Sequence, residues 1–366
     1  MDDRENTRNQ PEKEKALDAE VDNPAERVNK DLWERFCRDP DFLRTVTMRE
    51  LYSNVYQARP FLIDGLLRMG TYLFVGAPKV GKSFFMAQLA YHVSTGIPIW
   101  EHSVNRGAVL YLALEDDYRR LQERMYRMFG TESAESLFFA VCAKQLGKGL
   151  DEQLDGFVRE HPDTRLIIID TLQKIREATA DKYSYASDYD VIGRLKKFAD
   201  YHNVSLFLVH HTRKQTSDDR FDMISGTNGL LGAADGALIL QKLRRTDLTA
   251  TLEISGRDQQ DQKLYLRRNP ERLTWDLERA EADVWEEPPD PVLDAVSALV
   301  TLENPVWRGT ATEMALEIQS DMKPHALAMM LNVRADALLE KYHIRYQSSR
   351  SHAGRQICLT LLPTAA

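Results

Sequence analysis

The chain has 366 residues, 43% of them hydrophobic, enough for one large core and a smaller satellite domain. Its net charge of −8 excludes a protein that coats nucleic acid indiscriminately, so any DNA contact has to be local. No apolar run approaches the roughly eighteen residues of a membrane span, and the N-terminus lacks the apolar core of a signal peptide. The cysteines Cys37, Cys142 and Cys358 stand isolated, without metal-ligand spacing, and read as buried thiols. A cytoplasmic protein is expected, with no membrane among its partners.

Residues 1–30 are polar, charged and nearly free of aromatics, the composition of a disordered tail. A helical segment is expected over 31–59, with its helix from Asp31 to about Tyr56. From residue 60 to about 280, strand and helix signals alternate. Tyr72 to Val75, Val109 to Leu114, Leu137 to Val141, Leu166 to Ile169 and Val204 to Val209 read as strands. The segments after Ser83, Tyr118 to Phe129, Glu152 to His161 and Tyr189 to Tyr201 read as helices. Unbroken apolar strands separated by helices predict a parallel sheet covered on both faces. After Gly232 the strands Ala237 to Leu240, Ala250 to Ile254 and Leu264 to Leu266 follow one another through short polar turns. That pattern predicts an antiparallel extension of the sheet.

Residues 281–291, with Glu286-Glu287-Pro288-Pro289-Asp290-Pro291, read as a linker. Beyond it, 292–363 predicts a helix over Val292 to Val300 and a second one capped by the T-x-x-E box of Thr310 and Glu313. One or two more helices are expected from Pro324 to Tyr342, then two strands around the turn Ser348 to Arg355. Helices followed by a hairpin predict a small winged-helix-like domain. Arg345, Arg350, His352 and Arg355 decorate its hairpin, a footprint suited to a DNA backbone. From Glu281 to Asp321, however, ten residues are acidic and one is basic, which suits protein docking as well.

The most specific motif is Gly76-Ala77-Pro78-Lys79-Val80-Gly81-Lys82-Ser83, a complete G-x-x-x-x-G-K-[ST] phosphate loop between a strand and the helix opening at Phe84. Backbone N–H groups of such a loop and of the following helix converge on phosphate oxygens. Lys82 is expected to reach the β- and γ-phosphates of ATP, and the Ser83 hydroxyl to ligate Mg²⁺. Asp170 ends an apolar strand at its carboxyl edge, where open α/β sheets place ligands, and is expected opposite Ser83 on Mg²⁺. Hydrolysis also needs a carboxylate to deprotonate water. The residue after Asp170 is Thr171, so the base has to come from elsewhere. Glu115, at the end of the neighbouring strand, is the choice, with Asp116 and Asp117 as rivals.

A P-loop, a Glu ending the next strand, an Asp ending a later one and a strand ending in His210-His211-Thr212 together resemble the RecA-like hexameric helicases. The likeness is nearest to the RepA-type replicative helicases and related AAA-family ATPases of plasmids and integrative elements. It covers roughly Pro60 to Leu277 and does not reach the C-terminal segment. It implies a RecA-like P-loop ATPase core over 60–280, with Glu115 as base and His210 or His211 as sensor of the γ-phosphate. It also implies an arginine donated by the neighbouring subunit of a hexameric ring. Arg257 is the first candidate, with Arg213 and Lys214 behind it. The loops 174–188 and 213–224 would line a channel for single-stranded DNA, through Tyr183, Tyr185, Arg213, Lys214, Arg220 and Phe221.

The resulting expectation is an ATP-hydrolysing motor on DNA, a ring-forming replicative helicase of a mobile genetic element with replication partner proteins. The alternative is a regulatory or assembly protein in which ATP switches DNA binding without unwinding. A small-molecule kinase is disfavoured, because no acceptor-binding lid is evident.

Overall fold

A computed structural model describes residues 43, 45–176, 185–211, 228–244, 246–257, 259–282, 289–351 and 354–363. The chain divides into two compact units, Ala58–Pro288 and a second made of Met1–Gln57 with Pro289–Ala366. The expected tail over 1–30 lies outside the described residues. The helix expected from Asp31 to about Tyr56 is shorter where the chain is described: residues 43, 45–47 and 54–56 are not helical, and α1 covers Met48–Ser53, opened by a capping box between Thr47 and Glu50.

In chain order, the larger unit opens with the hairpin β1 (Phe61–Ile63) and β2 (Leu67–Arg68), followed by β3 (Thr71–Gly76) and α2 (Lys82–Thr95). Then come β4 (Ala108–Ala113), α3 (Tyr118–Phe129), β5 (Leu137–Ala140), α4 (Leu150–Glu160) and β6 (Thr164–Asp170). They lead to α5 (Leu172–Ile175), α6 (Tyr185–His202), β7 (Ser205–His211), α7 (Asn228–Ala233), β8 (Gly236–Gln241), β9 (Thr249–Gly256), β10 (Gln259–Arg268) and β11 (Trp275–Ala282). A nine-stranded sheet runs in the order β11-β10-β9-β8-β3-β7-β6-β4-β5. Strands β3 to β8 pair in parallel, and β9, β10 and β11 extend the sheet antiparallel from β8. This is the parallel sheet with an antiparallel extension that the strand pattern predicts.

The apolar strands are two-faced, because successive side chains point to opposite sides. Phe74, Tyr111 and Ile168 join the core under α2 and α3. Their neighbours Leu73, Val75, Leu112, Ile167 and Ile169 join the core shared with α4 and α6. The topology also sets the site. β7 lies between β3 and β6, so the strand ending in Asp170 stands two places away from the strand that feeds the P-loop.

The sequence pattern does not announce β1, β2 or β11. β11 reads as charged coil because its outward residues are Asp, Glu and Arg. It is held by β10: Arg267 pairs with Glu278, the Tyr265 hydroxyl donates to Glu281 at 2.9 Å, and Arg279 lies 3.7 Å over the Tyr265 ring.

In the second unit, α8 (Pro291–Ser297) precedes β12 (Val306–Thr310), α9 (Ala311–Glu317), α10 (Pro324–Val333) and α11 (Ala335–Tyr342). β13 (Ile344–Ser351) and β14 (Gly354–Leu361) close a three-stranded sheet in the order β12-β14-β13. The expected T-x-x-E box caps α9, with the Thr310 N–H donating to Glu313 at 2.6 Å. β12 is a strand the sequence reading lacks. Leu293, Val296, Met314, Leu331, Leu338, Tyr346 and Leu359 form its core. α1 packs here: buried Asn332 accepts from the Tyr346 hydroxyl and donates to Tyr52 O, each at 2.9 Å. Arg355 donates to Ser53 O, so its guanidinium serves this packing.

Candidate nucleotide-binding site

β3 delivers the chain at Gly76 into a loop whose shape depends on its glycines. Gly81 caps α2 at φ 114°, left-handed backbone that favours glycine. A Cβ there would stand 2.9 Å from the Trp275 ring, and one at Gly76 would stand 2.6 Å from Leu240 O. Ala77, Pro78 and Lys79 are exposed at the loop's crest, whereas Val80 is buried beneath it. The N-terminus of α2, with its free N–H groups, follows at once, which is the geometry that binds phosphate.

Lys82 is 5% exposed. Its ammonium donates to Gly76 O at 2.7 Å and Ala77 O at 3.1 Å, and lies 3.0 Å from His211 Nδ1. Burial lowers its pKa to about 8, against the pull of Asp170 and Glu115, which favour the charged form. Asp170 is buried at the end of β6. It accepts from the Ser83 hydroxyl and from the Tyr111 hydroxyl, the latter at 2.9 Å. Burial pushes its carboxyl upward, Glu115 adds to that, and the two hydrogen bonds and Lys82 oppose it. A Ser hydroxyl against a carboxylate is an oxygen donor pair that fits Mg²⁺, whose remaining positions go to phosphate oxygens and water.

The structure separates three carboxylates that the sequence leaves together. Asp117 caps α3, accepting from Arg120 N at 2.9 Å. Asp116 is paired with Arg124 at 2.7 Å. Glu115 accepts from Thr171 Oγ1 at 3.3 Å and is near enough to act on the charges of Lys82, Asp170 and His211. The histidines part in the same way. β7 alternates faces, so His211 falls on the α2 side, in register with Gly76 and against Lys82. His210 is buried, in register with Val75, and points to the other face. Burial and Lys82 both lower the His211 pKa.

Arg257 lies elsewhere. It follows Gly256, which pairs with Gly236, and Gly236 pairs in turn with Tyr72 at the start of β3. The P-loop leaves the other end of that strand, on the order of 15 Å away at 3.3 Å per residue. The Arg257 side chain donates to Gly232 O.

Of the loop expected over 174–188, Lys174 belongs to α5, and α6 begins at Tyr185 rather than Tyr189. An ion pair of 2.7 Å between Arg176 and Asp188 joins the two ends and favours the earlier start. Tyr183 and the side chain of Tyr185 lie outside the described residues, as do Arg213, Lys214, Arg220 and Phe221. The sequence reading missed Tyr111 and Thr171, which hold Asp170 and Glu115. The signals were a hydroxyl inside the otherwise apolar strand β4 for Tyr111 and a hydroxyl directly after Asp170 for Thr171.

The buried ammonium sets a pH dependence. The unfolded chain holds the Lys82 proton to about pH 10.4 and the folded one to about pH 8. Between those values the unfolded state binds more protons, so this group makes the fold more stable as pH rises. Phosphate binding needs the charged form, so ATP affinity falls about tenfold per unit above pH 8 while the melting temperature does not fall through this group. Calorimetric titration with ATP at successive pH values checks this; a flat affinity across that range contradicts it.

Residues 37–217 match the AAA domain family. No curated protein matches the chain. Among solved structures it is similar to one titled "ATPase Domain of G40P", at 16% identity and a TM-score of 0.49, over 70% of this chain and 99% of that one. It is also similar to "The Structure Of A DnaB-Like Replicative Helicase And Its Interactions With Primase", at 15% identity and a TM-score of 0.49, over 68% of this chain and 71% of that one. The segment 37–217 that matches this family holds the P-loop, Glu115, Asp170 and both histidines.

Proposed function

We propose that the chain is an ATP-driven motor on DNA, a ring-forming helicase of the replicative type that works in the cytoplasm for a mobile genetic element. The observation that carries this reading is a division of labour across the sheet. Lys82, Ser83, Glu115, Asp170 and His211 meet at one edge, while Arg257 stands at the other end of the strand that feeds the P-loop. An arginine so placed serves a neighbour's site, and head-to-tail contacts of that kind close into rings. A hexamer with single-stranded DNA in its channel is the form we infer.

In this reading Lys82 meets the β- and γ-phosphates, and Ser83 and Asp170 hold Mg²⁺, which supplies charge neutralisation on the phosphates. Glu115 orients the attacking water and takes its proton, with Thr171 fixing the carboxylate. His211, against Lys82, senses whether the γ-phosphate is present. Glu115→Gln keeps ATP binding and loses turnover by about 10²- to 10⁴-fold, since an amide cannot take the proton. Asp116→Asn and Asp117→Asn leave turnover within a small factor. If either of them shows the Gln phenotype and Glu115→Gln does not, the base is assigned wrongly.

The second unit is a winged-helix-like module in this reading, supported by its order of helix, strand, helices and hairpin and by the sheet order β12-β14-β13. Arg345 is its exposed cation on β13 among the described side chains, whereas Arg355 is engaged with Ser53. Replication partner proteins and DNA are both occupants of suitable charge.

A forked-duplex strand-displacement assay tests the motor. ATP-dependent unwinding that Glu115→Gln abolishes supports it. DNA-stimulated hydrolysis without displacement leaves the alternative, a protein whose DNA binding ATP switches.

A further inference from the structure

Two cations end their strands beside the P-loop. Leu240 of β8 pairs with Gly76, so Lys242, just past the end of β8, stands at the same sheet edge as the phosphate loop. β9 runs antiparallel to β8 and β10 antiparallel to β9, which brings the end of β10, Arg268, to that edge too. Ligands of open α/β sheets bind at this edge. The Arg268 guanidinium lies 4.4 Å from the centre of the Phe84 ring and 6.0 Å from that of Trp275; Lys242 Nζ lies 5.4 Å from the Trp275 ring. Phe84 directly follows Ser83. Trp275 packs under the loop, its indole N–H donating to Gly81 O at 3.4 Å. Both cations therefore sit one aromatic ring away from the first turn of α2.

Their charge is not neutralised by the protein. Among the described residues neither forms an ion pair, and Arg268 Nε is buried without a hydrogen-bond partner. The carboxylate that acts on Lys242 is Asp247, which already accepts from Arg244 N at 2.8 Å. Burial lowers both pKa values, and the cations work against one another: Arg268 lowers Lys242, and Arg127 lowers Arg268. Like charges gathered in a half-buried place cost free energy that an anion would offset.

We propose that Lys242 and Arg268 form a second anion subsite beside the P-loop, taking the α-phosphate of the bound nucleotide. The inference rests on the nucleotide-binding reading above. Lys82 and Ser83 serve the β- and γ-phosphates, so Arg268, packed on Phe84 one position further along α2, faces the phosphate next to the ribose, with Lys242 beside it over the Trp275 ring. The ring stacking holds the Arg268 guanidinium in a fixed plane, ready for an oxygen ligand.

Titration of the full chain with ADP tests this, using Arg268→Ala and Lys242→Gln, each checked for an unchanged melting profile. Each variant is expected to weaken ADP binding by about tenfold or more, the loss for a charged hydrogen bond. The dissociation constant should also depend less steeply on salt. Lys242 is partly exposed, so its variant carries the test if Arg268→Ala does not fold. ADP affinity unchanged in a folded variant overturns the proposal. So does retained ADP affinity with lost affinity for single-stranded DNA, which would make the cluster a nucleic-acid contact. ADP bound by neither the unsubstituted protein nor the variants removes the nucleotide reading itself, and this subsite with it.

Discussion

Lys82→Ala abolishes ATP hydrolysis and weakens ATP binding by about ten- to a hundredfold, the worth of a charged hydrogen bond to phosphate. The loss in turnover is larger, on the order of 10³-fold, because the same ammonium also meets charge that develops in the transition state. The variant should nevertheless fold. Lys82 is a buried cation whose hydrogen bonds go to two loop carbonyls, Gly76 O and Ala77 O, and burial already works against its charge. Truncation removes a desolvated charge, so the melting temperature stays level or rises while activity disappears. Equilibrium ATP binding, phosphate release and a thermal melt read the three quantities separately. Hydrolysis at the wild-type rate would remove the P-loop from the mechanism.

How much of this was legible beforehand depends on whether the signal is local. The P-loop was fully legible, because its chemistry demands contiguous glycines, a lysine and a hydroxyl between a strand and a helix. Asp170 was legible for the same reason: an apolar strand that ends in a carboxylate announces both its burial and its edge. Choosing among Glu115, Asp116 and Asp117 was only half legible. Asp117 as a cap could be guessed from Tyr118 onward, but the partner of Asp116 is Arg124, on a face of α3 that the chain order does not reveal. His210 and His211 needed strand register, which is a tertiary fact.

The antiparallel extension shows the same limit from the other side. β9 and β10 carry alternating apolar residues and were readable, whereas β11 is charged along its outer face and exists through Arg267, Tyr265 and the buried Trp275. That one tryptophan explains why Gly81 has no room for a side chain and what Lys242 and Arg268 lie upon. Nothing local links residue 275 to residue 81. The order of the helices and hairpin after residue 291 was readable, while the docking of α1 on them, through Asn332 and Tyr52, was not.

Mixing Arg257→Ala with Lys82→Ala protein restores part of the ATPase activity that each variant lacks alone. The expectation follows from the sheet. Within one chain Arg257 and the P-loop stand at opposite ends of β3, so the arginine cannot reach its own phosphates without unmaking the strands between. A subunit without Arg257 still carries Lys82, Glu115 and Asp170; a subunit without Lys82 still presents its arginine. In a head-to-tail ring some interfaces then pair an intact loop with an intact arginine, and those interfaces turn over. Random mixing of equal amounts makes about a quarter of the interfaces complete, so recovery approaches that fraction if sites fire independently and falls below it if they fire in sequence. Each single variant is expected to lose about 10³-fold or more in turnover, the range for arginines of this kind. Arg257→Ala alone keeps ATP binding, which separates it from Lys82→Ala. Its side chain also donates to Gly232 O, so Arg257→Lys is the control for lost packing: it can keep that bond and the charge but not the two-pronged contact with phosphate. If co-assembled mixtures stay as inactive as their components, the arginine acts within its own subunit or not at all; normal turnover by Arg257→Ala alone decides against it sooner.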